Sequence, residues 1–139
     1  MNAWFRIVGW LILCCAANAG AADFARLEPA SSAAGYLARL LANESPFPGE
    51  RGFVSEADTK ATMLSILWVL HARMNHIPEG YTQMQIASIR SQNVIDVITA
   101  KNQCEGFSKD AAGQPVAAPR VEARIQNLLK IANSGGQPG

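Results

Sequence analysis

The residue best suited to chemistry in this sequence is Glu44, which continues an apolar helical stripe up to the edge of a proline- and glycine-rich loop. We expect a carboxyl there to be partly withdrawn from water, the condition under which a carboxylic acid keeps its proton near neutral pH. Such a carboxyl can deliver a proton to a leaving oxygen as a general acid. The alternative is a helix-end glutamate that turns out to water.

Glu50 is the only nearby candidate for a second catalytic carboxylate. Enzymes that cleave glycosidic bonds usually have a pair of catalytic carboxylates. The alternative for Glu50 is a solvated loop carboxylate paired with its neighbour Arg51.

Cys104 offers a different chemistry, because with His71 or His76 it could form the nucleophile and base of a peptidase. However, Cys104 is expected in a loop rather than at a helix N-terminus, where the helix dipole would lower the thiol pKa. A packed thiol, or a disulfide to another molecule, is the alternative. The two histidines are five positions apart rather than the four of a helical metal pair, so we expect no metal site, and we predict no cofactor.

Glu44 would be positioned by a first helix, whose apolar residues recur at three- and four-residue spacing. These are Tyr36, Leu37, Leu40 and Leu41. Residues 45–52 follow with two prolines and two glycines, which predicts a loop beside Glu44.

A second helix is predicted to open at Ser55, because Ser55 and Asp58 have the spacing of a capping box, and to run to about Asn75. Residues 63–70 are apolar nearly all round. A helix of that kind is normally covered on every side. We therefore predict that this helix is the buried centre of the fold.

The remaining segments complete an all-α prediction. Residues 82–85 form another capping box for a short helix reaching Arg90, and residues 93–99 fit either a short helix or an extended segment. Residues 101–118 are predicted to be a long surface loop. Pro119 then opens an amphipathic closing helix.

The N-terminus predicts export. One positive residue, Arg6, precedes an apolar run that is shorter than the roughly 20 residues of a membrane-spanning helix and ends in small residues. We interpret residues 1–21 as a signal peptide cleaved after Ala19 or Ala21, with an uncleaved anchor as the alternative. Residues 22–134 then form one helical domain, and residues 135–139 a disordered tail. The protein would be secreted or periplasmic, with no stable membrane span after cleavage.

Charge argues against two classes of partner. The sequence has 12 Lys and Arg against 11 Asp and Glu, and removal of Arg6 leaves the two counts equal. A neutral domain lacks the basic surface by which proteins bind nucleic acid or an anionic membrane. We therefore predict neither as a partner.

Four short strings resemble the SleB-type cell-wall hydrolases. Residues 37–44 are similar to that family's Leu-Ala-Arg helix ending in glutamate, and 49–50 to its Gly-Glu. Residues 68–73 are similar to the family's hydrophobic helix that closes with Asn-Arg, with Ala72 in place of the asparagine, and residues 103–108 to its Gln-Phe-Ser segment. The resemblance covers most of the mature domain.

The resemblance implies a small lysozyme-like helical domain that binds the glycan strand of peptidoglycan. Glu44 would be the catalytic glutamate that protonates the glycosidic oxygen between N-acetylmuramic acid and N-acetylglucosamine. The substrate-binding residues it implies are Glu50, Arg73, Gln103, Phe107 and Ser108. Related lytic transglycosylases work with one carboxyl because the C6 hydroxyl of the sugar closes an anhydro ring.

Two questions stay open at this level. A hydrolase and a lytic transglycosylase differ only in whether water or the sugar hydroxyl lies behind the anomeric carbon. The alternative of another class is a non-catalytic periplasmic binding or immunity-type module, for which the aromatic loop with Phe47 and Phe53 would serve.

Overall fold

The structure is a computed structural model that describes residues 24–135. Its helices and strands, in chain order, are α1 (Ala33–Glu44), α2 (Glu56–Asn75), α3 (Gln83–Ala87), α4 (Val94–Thr99), β1 (Phe107–Lys109), β2 (Pro115–Ala117) and α5 (Pro119–Asn133). The domain is mostly helical, with one small two-stranded sheet. The signal peptide predicted for residues 1–21, and the predicted tail beyond Gly135, lie outside the described residues.

Helix α1 forms as its periodicity predicted and ends at Glu44. Ser32 caps its N-terminus by accepting a hydrogen bond from the backbone N–H of Gly35 at 3.0 Å. The N-terminal segment crosses this helix so closely that a Cβ on Gly35 would lie 2.1 Å from the carbonyl oxygen of Pro29. Arg39 reinforces the crossing, because its Nη1 donates to the carbonyl oxygen of Glu28 at 2.8 Å.

Helix α2 begins at the predicted cap, where Ser55 accepts from the N–H of Asp58. The prediction that α2 is the buried centre of the fold is wrong. Its fully buried residues are few and fall near its two ends, whereas Leu64 is 61% and Trp68 is 65% exposed. The reason is that the other elements cover only one side of α2, so apolar residues placed all round the helix cannot all be buried.

The core lies instead among α1, α4, β1 and α5, with α3 and only the C-terminal part of α2 packed against them. Its fully covered side chains include Tyr36, Val97, Ile98, Val121 and Ile125. The first comes from α1, the next two from α4, and the last two from α5. The small helix α4 is therefore more deeply buried than the long helix α2.

Each of the two short helices, α3 and α4, begins at a capping residue. The predicted capping box of α3 is present, with Thr82 and Gln85 bonding reciprocally, but the helix stops at Ala87 rather than Arg90 because Ser88 adopts a left-handed conformation with φ +57°. Residues 94–99 are a helix rather than a strand. Asn93 caps that helix by accepting from the N–H of Ile95 at 2.9 Å, which favours helix over the extended alternative.

The long surface loop predicted for residues 101–118 contains a hairpin, so the all-α prediction needs correction. Strands β1 and β2 pair antiparallel, with Phe107 opposite Ala117. The Tyr36 hydroxyl lies 2.9 Å from the carbonyl oxygen of Ser108 and 3.0 Å from that of Val116, and so ties both strands to α1. The closing helix α5 then begins at Pro119, as predicted.

Candidate functional site

An open cavity of about 670 Å³ lies beside α2, between the C-terminal end of α1, the segment before β1 and the first turns of α5. One face of α2 forms its wall. The contributing side chains recur at helical spacing: Thr62, Ser65, Ile66, Val69, Leu70 and Arg73. The cavity brings together three residues that the sequence singled out, namely Glu44, Arg73 and Gln103.

Glu44 is the last residue of α1, and its side chain is exposed. Asn43 Nδ2 donates to its Oε1 at 2.9 Å. Among the ion pairs of the described residues, none includes Glu44. The expectation that burial would partly desolvate this carboxyl is wrong, because the Pro/Gly loop runs beside the helix end without covering it.

A second open cavity, of about 450 Å³, lies on the loop side of Glu44. Residues 50–52 of the Pro/Gly loop contribute to its lining. Asn43, Glu44 and Arg124 line both cavities. The two cavities therefore adjoin at Glu44 and its neighbours, and we call them together the groove.

The Glu50 carboxylate lines the second cavity and is held in place by hydrogen bonds. It pairs with Arg124 and not, as one sequence interpretation had it, with Arg51. The backbone N–H of Phe47 also donates to its Oε2, at 2.8 Å. The Arg124 hydrogen bond above all, and the Phe47 N–H after it, lower the pKa of Glu50 against the opposing effect of burial. Glu50 is therefore a carboxylate that holds the loop in place.

Arg124 is the residue at this site that sequence reasoning missed. Its Nη2 donates to the carbonyl oxygen of Ser45 at 2.9 Å, its Nη1 bonds the carbonyl oxygen of Ala42, and its guanidinium carbon lies 5.9 Å from the ring centroid of Phe47. It thus binds the chain on both sides of Glu44. One feature of the sequence could have identified Arg124 as a structural residue. It lies next to Ile125, on the inward face of an otherwise apolar helical stripe.

Arg73 and Gln103 line the first cavity together with Glu44. Arg73 is half-buried and takes part in no ion pair within residues 24–135. Gln103 Nε2 lies 3.5 Å from Ser88 Oγ, and its Oε1 is buried without a hydrogen-bond partner in that same range. Within the described residues, the lining of this cavity therefore includes a cation without an ion-pair partner and a glutamine with an unsatisfied, buried amide oxygen.

Phe107 does not line either cavity. It is 6% exposed and packs edge-on against Tyr36, with ring centroids 5.3 Å apart. The prediction that Phe107 binds substrate is therefore wrong, because its ring belongs to the core. Ser108 lies next to it in β1, away from the residues that line the groove, and its carbonyl oxygen is bonded to Tyr36. The structure thus gives Ser108 a part in tethering the hairpin.

Cys104 lines the first cavity, but neither histidine lines it with the thiol. His71 and His76 pack against each other and against Trp68. Burial raises the pKa of the Cys104 thiol, and nearby Arg73 opposes this only in part. An activated nucleophile needs the opposite shift, so the geometry does not favour the Cys–His peptidase. Cys104 is half-buried, and the intermolecular disulfide stays a prediction.

Searches against protein-family models, curated proteins and solved structures found no match to this chain. Within residues 24–135 no three His, Cys, Asp or Glu side chains are grouped as a metal site would require. No helix in the same range is long and apolar enough to cross a membrane.

Proposed function

We propose that this chain cleaves the glycan strand of peptidoglycan and that Glu44 supplies the proton. The observation that carries the proposal is the position of Glu44 in the lining of two open cavities, one of which it shares with Arg73 and Gln103. These three residues lie far apart in the sequence and belong to three of the strings that resemble the SleB-type hydrolases. A groove open on both sides of the acid suits a polymer cleaved within its length.

The proposed reaction uses one carboxyl, that of Glu44. A glycan strand lying over Glu44 would withdraw its exposed carboxyl from water, the condition under which a carboxylic acid keeps its proton. The carboxyl donates that proton to the oxygen between N-acetylmuramic acid and N-acetylglucosamine, and the C1–O bond breaks with positive charge left on the sugar. Water or the muramic acid C6 hydroxyl then attacks C1, and its proton returns to the Glu44 carboxylate. The groove is compatible with attack by either water or the C6 hydroxyl.

The arrangement favours a mechanism with one carboxyl. Glu50 is bound by Arg124, which holds it as a carboxylate and orients it toward the loop. The other carboxylate on the groove, Glu105, is paired with Arg120 at 2.8 Å. Since each of these carboxylates already has a cation partner, the sugar hydroxyl is the better candidate for the second step.

The lining of the first cavity fits the substituents of the sugars. The unpaired Arg73 guanidinium would bind a carboxylate of the stem peptide or of the muramic acid lactyl group. Gln103 lines the same cavity, and its side-chain amide would bind an N-acetyl group of the glycan. The predicted signal peptide would deliver the protein, as a secreted or periplasmic chain, to the compartment that contains this polymer, and a lysozyme-like fold is part of the same proposal.

Zymography on peptidoglycan tests the proposal. The wild type should clear the gel, while Glu44→Gln should leave it intact at equal protein load. Glu79→Gln is the matched control, because Glu79 is an exposed carboxylate that lines neither cavity. Equal clearing by Glu44→Gln and the wild type would remove Glu44 from the mechanism.

The second candidate is the non-catalytic binding or immunity-type module. The observation that favours it is the exposed apolar side of α2, because binding modules present such surfaces to partners. If the wild type leaves peptidoglycan intact under conditions where the protein is folded, this candidate replaces the enzyme.

A further inference from the structure

Helix α2 carries an apolar surface that faces away from the groove. Its residues Ala57, Ala61, Leu64 and Trp68 recur at spacings of four, three and four, which places them in one line along a helix. We call these four residues the α2 stripe. Leu64 is 61% and Trp68 is 65% exposed, and both alanines are exposed as well. The described part of the chain therefore leaves the stripe largely open to water.

Trp68 is held in position although it is exposed. Its ring centroid lies 5.7 Å from that of His71 and 6.0 Å from that of His76. Stacking on two neighbouring rings restricts the indole before any partner arrives, so docking on it costs less side-chain entropy. Preordered tryptophans of this kind contribute strongly to protein interfaces.

The pattern of sizes along the α2 stripe indicates which partner fits. Two alanines occupy its N-terminal half, and Leu64 and Trp68 its C-terminal half. When two copies of such a helix pack antiparallel in a knobs-into-holes register, Ala57 of one copy faces Trp68 of the other and Ala61 faces Leu64. Each large side chain then meets a small one on both halves of the two-fold interface.

The helix dipoles favour the same arrangement, because two antiparallel helices set their dipoles against each other. We propose that the α2 stripe is a self-association surface on which a second copy of this chain packs with antiparallel helices.

A lipid surface fits the α2 stripe less well. Helices that lie on membranes flank their apolar face with Lys and Arg. The exposed charges in the first half of α2 are Glu56, Asp58 and Lys60, which together carry no positive excess. Lipid binding would not explain why small side chains occupy one half of the α2 stripe and large side chains the other. An antiparallel dimer explains both halves, because each large side chain meets a small one.

Sedimentation equilibrium across a concentration series tests this inference with a size swap. The wild type should show a monomer–dimer equilibrium. Trp68→Ala should weaken dimerisation by roughly thirtyfold or more, the change expected for a hot-spot tryptophan. Ala57→Trp should weaken it too, because two tryptophans then meet. The double variant Ala57→Trp with Trp68→Ala should restore dimerisation, since the large and small side chains have only changed places.

Tyr81→Ala is the matched control, because Tyr81 is an aromatic residue 62% exposed outside α2, and it should leave dimerisation unchanged. Far-UV circular dichroism establishes that each variant is folded. A wild type that stays monomeric at every concentration would overturn the proposal, as would a dimer that Trp68→Ala does not weaken. The proposal would also be overturned if the double variant dimerised no more strongly than Ala57→Trp, or if the monomer sedimented with lipid vesicles.

Discussion

The Arg124 guanidinium and the Glu50 carboxylate meet side by side, with Nε 3.0 Å from Oε1 and Nη2 2.5 Å from Oε2. The same guanidinium bonds the carbonyl oxygens of Ala42 and Ser45, on either side of Glu44. One side chain of α5 therefore fixes the Pro/Gly loop and the end of α1 together. Arg124 is a positioning residue for the proposed general acid.

Replacing Arg124 by methionine should lower the free energy of unfolding by about 2–3 kcal/mol, because it leaves a partly buried carboxylate and two carbonyl oxygens without their donor. Urea unfolding at neutral pH measures this. Arg120→Met is the control, since its pair with Glu105 is largely exposed and should contribute at most about 1 kcal/mol. Equal losses in the two variants would contradict the role given to Arg124.

Acid should destabilise the fold through Glu50. The folded-state pKa of Glu50 lies below its ordinary value of 4.5, so its contribution is complete above that pH and is lost as the pH falls through the folded-state pKa. Arg124→Met removes the main cause of the shift. The variant should therefore lose less stability than the wild type between neutral pH and about pH 3. Asp96, whose pKa is lowered mainly by Lys109, leaves a residual acid dependence in both proteins.

Tyr36→Phe should lower the free energy of unfolding by about 1–2 kcal/mol at neutral pH, because the hairpin loses its hydroxyl tether to α1. Burial raises the Tyr36 pKa from 10.0 to about 12. A raised pKa gives stability that is present in full below pH 10.0 and is lost as the pH rises through about 12. Urea unfolding near neutral pH and at about pH 11 should therefore show a smaller alkaline loss in Tyr36→Phe than in the wild type.

Gly35→Ala should destabilise the protein although alanine is the better helix former. In an open helix this change would stabilise by about 1 kcal/mol. Here the new Cβ would lie 2.1 Å from Pro29 O and 2.4 Å from Glu28 O, so the N-terminal segment must move away. Thermal unfolding that shows a higher melting temperature for Gly35→Ala would mean that this close crossing is absent.

Local patterns predicted most of the helices. Ser55 and the Thr82–Gln85 pair marked helix starts because capping is decided by side chains two or three positions away. The hairpin was missed because β1 and β2 have three residues each, and such strands are stabilised by Tyr36, which lies some 70 positions earlier in the chain. No local signal reports that contact.

Burial was harder to predict than helix formation. The apolar run of α2 predicted a covered helix, but coverage depends on where the other elements pack, and Trp68 remains exposed. Glu44 was placed correctly at a helix end, yet its exposure depends on the path of the following loop. The pairing of Glu50 with Arg124 joins residues that the sequence gives no reason to connect.

The central claim, proton donation by Glu44, is tested most directly by mass spectrometry of the soluble products released from purified peptidoglycan at equal enzyme and time. The wild type should release disaccharide-containing fragments, and Glu44→Gln should release them about 10²- to 10⁴-fold more slowly, as expected when a general acid is lost. Glu50→Gln should retain cleavage at a temperature where it is folded. Fragments lighter by one water would identify a lytic transglycosylase. Equal release by the wild type and Glu44→Gln, or no release by the folded wild type, would contradict the account.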